Sequence, residues 1–355
     1  MMFEVEMLPA REGDCIWIRY GTKAAPKQIL IDAGRAGTFS RDLRARLMAL
    51  PKSQKTFELF VISHVDRDHI EGSMAMLEDT KLGVTFKDIW FNGYDHLKSA
   101  KLETFGAVQG ERVTAALLKR KAKWNKAWKS KAVALRGKTF PKKALAGGMT
   151  LTLLSPDRQK LLELIPTWEK ECQEAGIIPG KKARLKEIPG LEDFGAIDVE
   201  TLATSKFDPD ATKPNGTSIV LLAQYKGKRA LLAADSHEDR LLASVKALGK
   251  GKRLPIDVYK VSHHGSDKNV SRALIEAMDC GTYLISTNGS YFKHPKAATL
   301  ARILKFGTPN ATIAFNYRSK FTDVWDAPAL KTKYHYTTIY PAKKSNGTLV
   351  VRLAD

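Results

Sequence analysis

His64-Val65-Asp66-Arg67-Asp68-His69 follows the apolar run Phe60-Val61-Ile62 after Ser63 alone, and Ile70-Glu71-Gly72-Ser73 comes next. A short apolar run predicts a buried strand, and the polar stretch predicts the loop that ends it. Two imidazoles and two carboxylates within six positions are the donor set of a metal centre, hard or borderline ligands on one loop. Two more strand ends carry the same chemistry: Asp235 closes the run Arg229–Ala234, and His263-His264 follows Ile256–Val261. Three strand ends with such ligands predict one edge of a sheet scaffold, and a hydrolase built around metal.

His64 and Asp66 are two apart, so an extended loop projects them the same way. Asp68 and His69 then turn toward a second position. Asp235 is placed to bridge two divalent ions, fixing their separation at roughly 4 Å. His263 is assigned the remaining imidazole, leaving His264 to support the site or bind substrate. Singly, each residue has a plain structural role open to it; together they predict a metal centre.

The chain of 355 residues is long enough for one large domain, and 43% of it is hydrophobic. It lacks the roughly 18 consecutive apolar residues that a membrane-spanning helix requires. Its first residues, without a basic end followed by an apolar core, predict no secretory leader. Cys15, Cys172 and Cys280 have no disulfide or zinc-knuckle spacing, which suits a cytoplasmic protein. Lys and Arg number 58 against 38 Asp and Glu, a formal charge of +20. Such an excess attracts polyanions, although it also serves solubility alone.

The pattern predicts strands over 2–8, 14–20, 27–32, 57–62, 85–91, 218–224, 229–234, 256–262, 281–286 and 311–316. Helices are predicted over 39–49, 70–78, 238–249, 271–278 and 296–306, and a last strand pair over 334–340 and 348–353. Two mixed sheets packed face to face with helices outside satisfy this α/β order, in a single domain over 1–355. The stretch 98–213 is less regular and reads as a helical basic insertion. Its 112–136 segment has nine Lys/Arg and no acidic residue. Leu117, Trp124, Trp128 and Leu135 fall on one face if that segment is helical. The tryptophans then dock the helix or, as the rarer alternative, stack on bases, while Lys119, Arg120 and Lys123 face phosphates. Residues 158–175 read as a further helix, and 179–213 as a mobile loop or surface insertion.

His-x-Asp-x-Asp-His followed by Ile-x-Gly resembles the signature loop of the metallo-β-lactamase superfamily, with Asp32, Asp235 and His263 as further motifs in order. Asp66 stands where that loop has its second histidine. No middle-motif histidine is present, and the matching stretch reads Pro214-Asn215-Gly216-Thr217-Ser218. Asn215-x-x-Ser218-x-Val-Leu, Lys260-Val-Ser-His-His-Gly-Ser266 and Gly289…His294-Pro295 resemble the hydrolase domain of the DNA-uptake protein ComEC and its soluble relatives, over about 10–95 and 215–310. The resemblance implies the αββα sandwich of that superfamily and a metal-dependent, nuclease-like phosphodiesterase in a defence or DNA-processing setting, where a regulatory protein partner is expected.

The expectation is therefore a DNase acting through a metal-activated water, with DNA favoured as partner and no membrane. Asp66 and Asp68 orient the water, His294 contacts a phosphate oxygen or the leaving group, and Asp32 supports the loop from behind. His264, Ser266, Asn215 and Asn288 are assigned to substrate. Asp66 and Asn215 make the first position harder than an all-histidine site, which favours two Mn²⁺, with Zn²⁺ next. Alternatives are a hydrolase of small phosphodiesters or nucleotides, and a catalytically degraded nucleic-acid-binding protein.

Overall fold

The computed structural model describes residues 1–98, 108–174, 197–343, 345 and 347–354. Its strands are β1 (Met2–Met7), β2 (Ile16–Gly21), β3 (Pro26–Ile31), β4 (Thr56–Phe57), β5 (Leu59–Val61), β6 (Thr85–Phe86), β7 (Ile89–Trp90), β8 (Lys142–Ala144), β9 (Thr150–Ser155), β10 (Val220–Tyr225), β11 (Lys228–Leu232), β12 (Leu254–Lys260), β13 (Met278–Ile285), β14 (Thr312–Phe315), β15 (Thr337–Ile339) and β16 (Leu349–Ala354). One sheet has the order β16-β1-β2-β3-β5-β7, the other β15-β14-β13-β12-β11-β10-β9-β8, and β4 and β6 form a small separate pair.

Period-two alternation sorts the apolar side chains into layers. In β10, Leu221, Ala223 and Tyr225 join Phe3, Val5, Ile18 and Ile29 of the first sheet in a core between the sheets. Val220 and Leu222 face the other way, into a core with Leu241, Val245, Leu300 and Ile303 of the outer helices. Phe60 and Leu30 likewise turn outward, onto Ile70, Met74 and Leu77 of the helix Arg67–Glu78. Both sheets are covered on both faces, which is why their strands read as near-continuous apolar runs. The result is the expected α/β sandwich.

Glycine holds the metal loop close at two points. A Cβ on Gly13 would stand 1.8 Å from the Asp68 carbonyl oxygen, and one on Gly72 would stand 2.0 Å from that of Ala33. Only glycine lets these backbones approach so nearly.

Two expectations need correction. The last two runs do not pair with each other: β15 lies parallel to β14, while β16 runs antiparallel to β1. Pairing with β16 also brings Arg352 to the buried Glu4. Arg352 reaches Glu4 at 2.9 Å, and Arg19 and Arg46 reach Glu6 at 3.1 and 2.5 Å.

The basic segment 112–136 is not one helix. Helix Val108–Lys119 stops, and the chain then crosses β7, with Ile89 N donating to Lys123 O and Asn125 N to Ile89 O, 2.8 Å each. Trp124 stacks on Phe91 and Trp128 meets Trp90 edge-on, so both tryptophans are anchors, though not through a shared helical face. Within the stretch 98–213, β8 and β9 extend the second sheet. Most of the expected mobile loop over 179–213 lies outside the described residues. Its described end places Asp210 near His263.

Candidate metal centre

The parallel strands β3 and β5 end side by side, as do β11 and β12. The loops that follow these four strands deliver Asp32, His64–His69, Asp235 and His263-His264 to one edge between the sheets. Asp32, Ala234, His263 and His264 all adopt left-handed backbone, with φ of 54°, 47°, 45° and 53°. For residues with a side chain such conformations cost about 1–3 kcal/mol each and gather at functional sites.

Four imidazoles converge on Asp235, and each is tied from behind by its Nδ1. His69 Nδ1 lies 2.8 Å from Asp32 Oδ2, and the same carboxylate accepts from Ser63 N and Oγ at 2.7 and 2.6 Å. His264 Nδ1 donates to Ser286 O at 2.8 Å. His64 Nδ1 meets Ser63 Oγ at 3.0 Å, and His263 Nδ1 meets Asn269 Oδ1 at 3.0 Å.

All four Nε2 atoms then face inward. His69 Nε2 stands 3.3 Å from Asp235 Oδ1. Those of His264, His263 and His64 stand 3.5, 3.7 and 4.0 Å from Asp235 Oδ2. Asp68 Oδ2 lies 3.5 Å from His264 Nε2, and Asp66 Oδ2 lies 3.6 Å from His64 Nε2.

This donor set fits divalent metal. His69 Nε2 and His264 Nε2 face one another at 3.2 Å. His64 Nε2, Asp235 Oδ1 and Asn215 Oδ1 are buried without a hydrogen-bond partner. Ligand atoms of Asp68, His69, Asp235 and His264 all lie within 4.8 Å of one another, every residue buried. Imidazoles tied at Nδ1 with Nε2 open to a shared centre are how proteins orient histidine toward metal.

Electrostatics agree. Burial pushes His69 and His264 down, but Asp235, with Asp32 and Asp68 for the former and Asp14 for the latter, lifts both well above the usual imidazole range. Burial pushes Asp68 up, yet His69 and His264 hold it at about 2. Asp235 goes well below the carboxylate range, its burial outweighed by the same two imidazoles and His263.

Two mixed sheets, helices outside and a carboxylate–imidazole cluster at the loop edge between them decide the architecture. This is the αββα arrangement that the metallo-β-lactamase resemblance implied. No family model matches the chain, and no curated protein matches it in sequence. Solved structures that resemble it include the metallo-β-lactamase fold protein YhfI from Bacillus subtilis, at 10% identity over 98% of this chain and 99% of that one, TM-score 0.40. Zn(2+)-bound PqqB from Methylobacterium extorquens is 13% identical over 94% of this chain and 86% of its own, TM-score 0.41. The CmlA β-hydroxylase E377D mutant is 10% identical over 99% of this chain, TM-score 0.40, and this chain spans 54% of its length. These likenesses are distant.

The remaining assigned residues divide. His264, assigned to substrate, stands among the metal-facing imidazoles, because the left-handed turn at 263–264 swings both rings inward. His263 is the more open of the pair, and Asp210 accepts from Asn215 Nδ2 at 2.7 Å and from Asn269 Nδ2 at 3.0 Å beside it. His294 packs against His263 with ring centroids 5.2 Å apart. Burial, then the His263 and His264 charges, keeps its imidazole neutral.

Ser266 Oγ accepts from Lys268 N, and Asn288 Oδ1 accepts from Ser290 N and Oγ, so both serve their own turns. Arg120 donates inward to Asp79 O at 2.7 Å, because the helix ends before it. Lys119 and Lys123 are exposed.

Sequence reasoning missed Asp14 and Lys260. Both are buried, joined at 2.5 Å, and Asp14 Oδ1 lies 3.5 Å from His264 Nδ1. It also missed Asp210 and Asn269. The one available signal was Lys260 and Asn269 flanking the histidine pair.

Proposed function

We propose that this protein is a metal-dependent phosphodiesterase that cuts nucleic acid, DNA foremost. The observation that carries the reading is the convergence of four Nε2 atoms on Asp235 at one edge of a chain carrying +20. Asp68, His69 and His264 would hold one divalent ion, His64, Asp66 and His263 a second, and Asp235 would bridge them. Mn²⁺ is favoured and Zn²⁺ next, since three carboxylates share the site with the imidazoles. Bound there, such ions supply Lewis acidity toward phosphoryl oxygens and acidify water.

The chain's own residues set the geometry. Asp32 keeps the His69 proton on Nδ1, and Ser286 O does the same for His264, so each Nε2 presents a lone pair. Asp66, with its side chain 39% exposed, borders solvent and orients incoming water. His294, kept neutral by burial and by the His263 and His264 charges, has Nδ1 buried without a partner and is assigned to contact a phosphate oxygen. The +20 charge draws the polyanion in from solution.

The deciding assay is cleavage of labelled single- and double-stranded DNA by metal-stripped protein with Mn²⁺, Mg²⁺, Zn²⁺ or Ca²⁺ restored separately, beside an Asp68→Ala/His69→Ala double variant. Cutting that returns with metal and vanishes in the variant is the expected result. DNA bound tightly but left intact by every ion sinks the reading.

A further inference from the structure

A second feature of the same edge lies beyond the metal ligands. A cavity of about 620 Å³ opens there, within the size range of small-ligand pockets. Leu97, Leu135 and Leu161, each almost fully buried, line it together with the cationic side chains of Lys131, Arg136 and Arg158. No carboxylate among the described residues pairs with Lys131 or Arg136.

The topology puts this cavity beside the cluster. β7 runs parallel to β5, so Phe91–Leu97 leaves the first sheet at the same edge as His64–His69. β9 pairs with β10 through Ser155 and Val220, and Ile219 N donates to Ser63 O at 2.9 Å, so Pro156–Arg158 leaves at that edge too. The walls are fastened together. Asn92 mimics a strand partner to Val133, donating to its carbonyl at 2.9 Å and accepting from its N–H at 2.8 Å. Leu135 N donates to Pro156 O at 2.8 Å.

An apolar floor with a cationic rim matches one ligand chemistry well, that of a nucleotide, whose flat base is apolar on its faces and whose phosphate is anionic. A base can enter only if it is unpaired and unstacked. We propose that this cavity holds an unpaired nucleotide flanking the cleaved phosphodiester, base on the leucine floor and phosphate on the rim, so that the protein acts on single strands. The proposal rests on the phosphodiesterase reading and names its substrate as single-stranded.

The test uses metal-stripped full-length protein, which binds without turnover, and fluorescein-labelled twelve-nucleotide oligo-dT alone or annealed to oligo-dA. The expected result is about tenfold tighter binding of the single strand, in keeping with the apolar area that one buried base removes from water. Lys131→Ala/Arg136→Ala should weaken single-strand binding about tenfold and lower its salt dependence by about one phosphate contact. Ala132→Phe, a half-buried position on the same wall, should erase the single-strand preference while duplex affinity stays constant. Thermal melting of each variant separates misfolding from lost binding.

Equal affinity for both strands, or single-strand binding unchanged in both variants, overturns the proposal. Failure of the phosphodiesterase reading looks different. The strand preference would persist and respond to these variants, yet no ion would restore cutting.

Discussion

The two sides of Asp235 are built differently. Asp68, His69 and His264 are buried, with His69 braced by Asp32 and His264 by Ser286 O, and Asp14 stands close behind His264, locked to Lys260. His64, Asp66 and His263 make the other side, where the side chains of Asp66 and His263 are 39% and 21% exposed. Enclosure favours a tightly held ion, while exposure favours exchange and the entry of water and substrate. The difference predicts one resident ion and one that comes and goes, in a centre that resembles a symmetric pair only in sequence.

Removing the shared group tests this most severely. Asp235→Asn should abolish binding of both ions, read as metal content after gel filtration, and lower any cleavage by at least about a hundredfold. Retention of one full equivalent would show that the two sides do not share a bridge. The single imidazoles then sort the sides. His264→Ala should empty the resident position, whereas His263→Ala should leave one equivalent bound and weaken only the second. The reverse order would invert the comparison.

The brace behind the enclosed side comes next in size. Asp32→Asn loses the carboxylate that accepts from both Ser63 and His69, and should weaken the resident ion roughly 10–100-fold. The companion change on the open side is gentler. Asn215→His replaces a buried, unpartnered amide oxygen with an imidazole nitrogen, and should shift the second position from Mn²⁺ toward Zn²⁺ in a competition titration. An unchanged preference would mean that Asn215 does not face that ion.

Much of this was legible because the signals are local. A strand run followed at once by His64–His69 declares both an element and its chemistry, and Asp235 does so again. The choice between His263 and His264 was not legible, since it depends on two consecutive left-handed residues that no spacing rule anticipates. Asp14 was hidden because its partner Lys260 is 246 positions away, and Asp210 because the loop that carries it has no periodicity. The 112–136 segment misled for the opposite reason. Its apolar spacing satisfies a helix, but pairing with Ile89 offers the backbone better hydrogen bonds, and tertiary context overrides propensity.

The smallest expected effect is on pH dependence, and it is largest on the enclosed side, although Asp235 and Asp210 outweigh burial to raise His263 on the open side as well. In protein stripped of metal, His69 and His264 are buried between carboxylates that raise them well above 6.5 despite the opposing cost of burial. A group raised on folding contributes its stability in full below the unfolded value, and loses it as pH rises through the folded one. The chelated protein should therefore melt at progressively lower temperature as pH climbs from about 6.5. Metal-loaded protein should move the other way over the same interval, because an ion must displace those protons to bind. Opposite slopes in two melting series would place the protons and the resident ion on the same nitrogens. Parallel slopes would separate them, and with that the claim that the enclosed side is the tighter one would lose its physical basis.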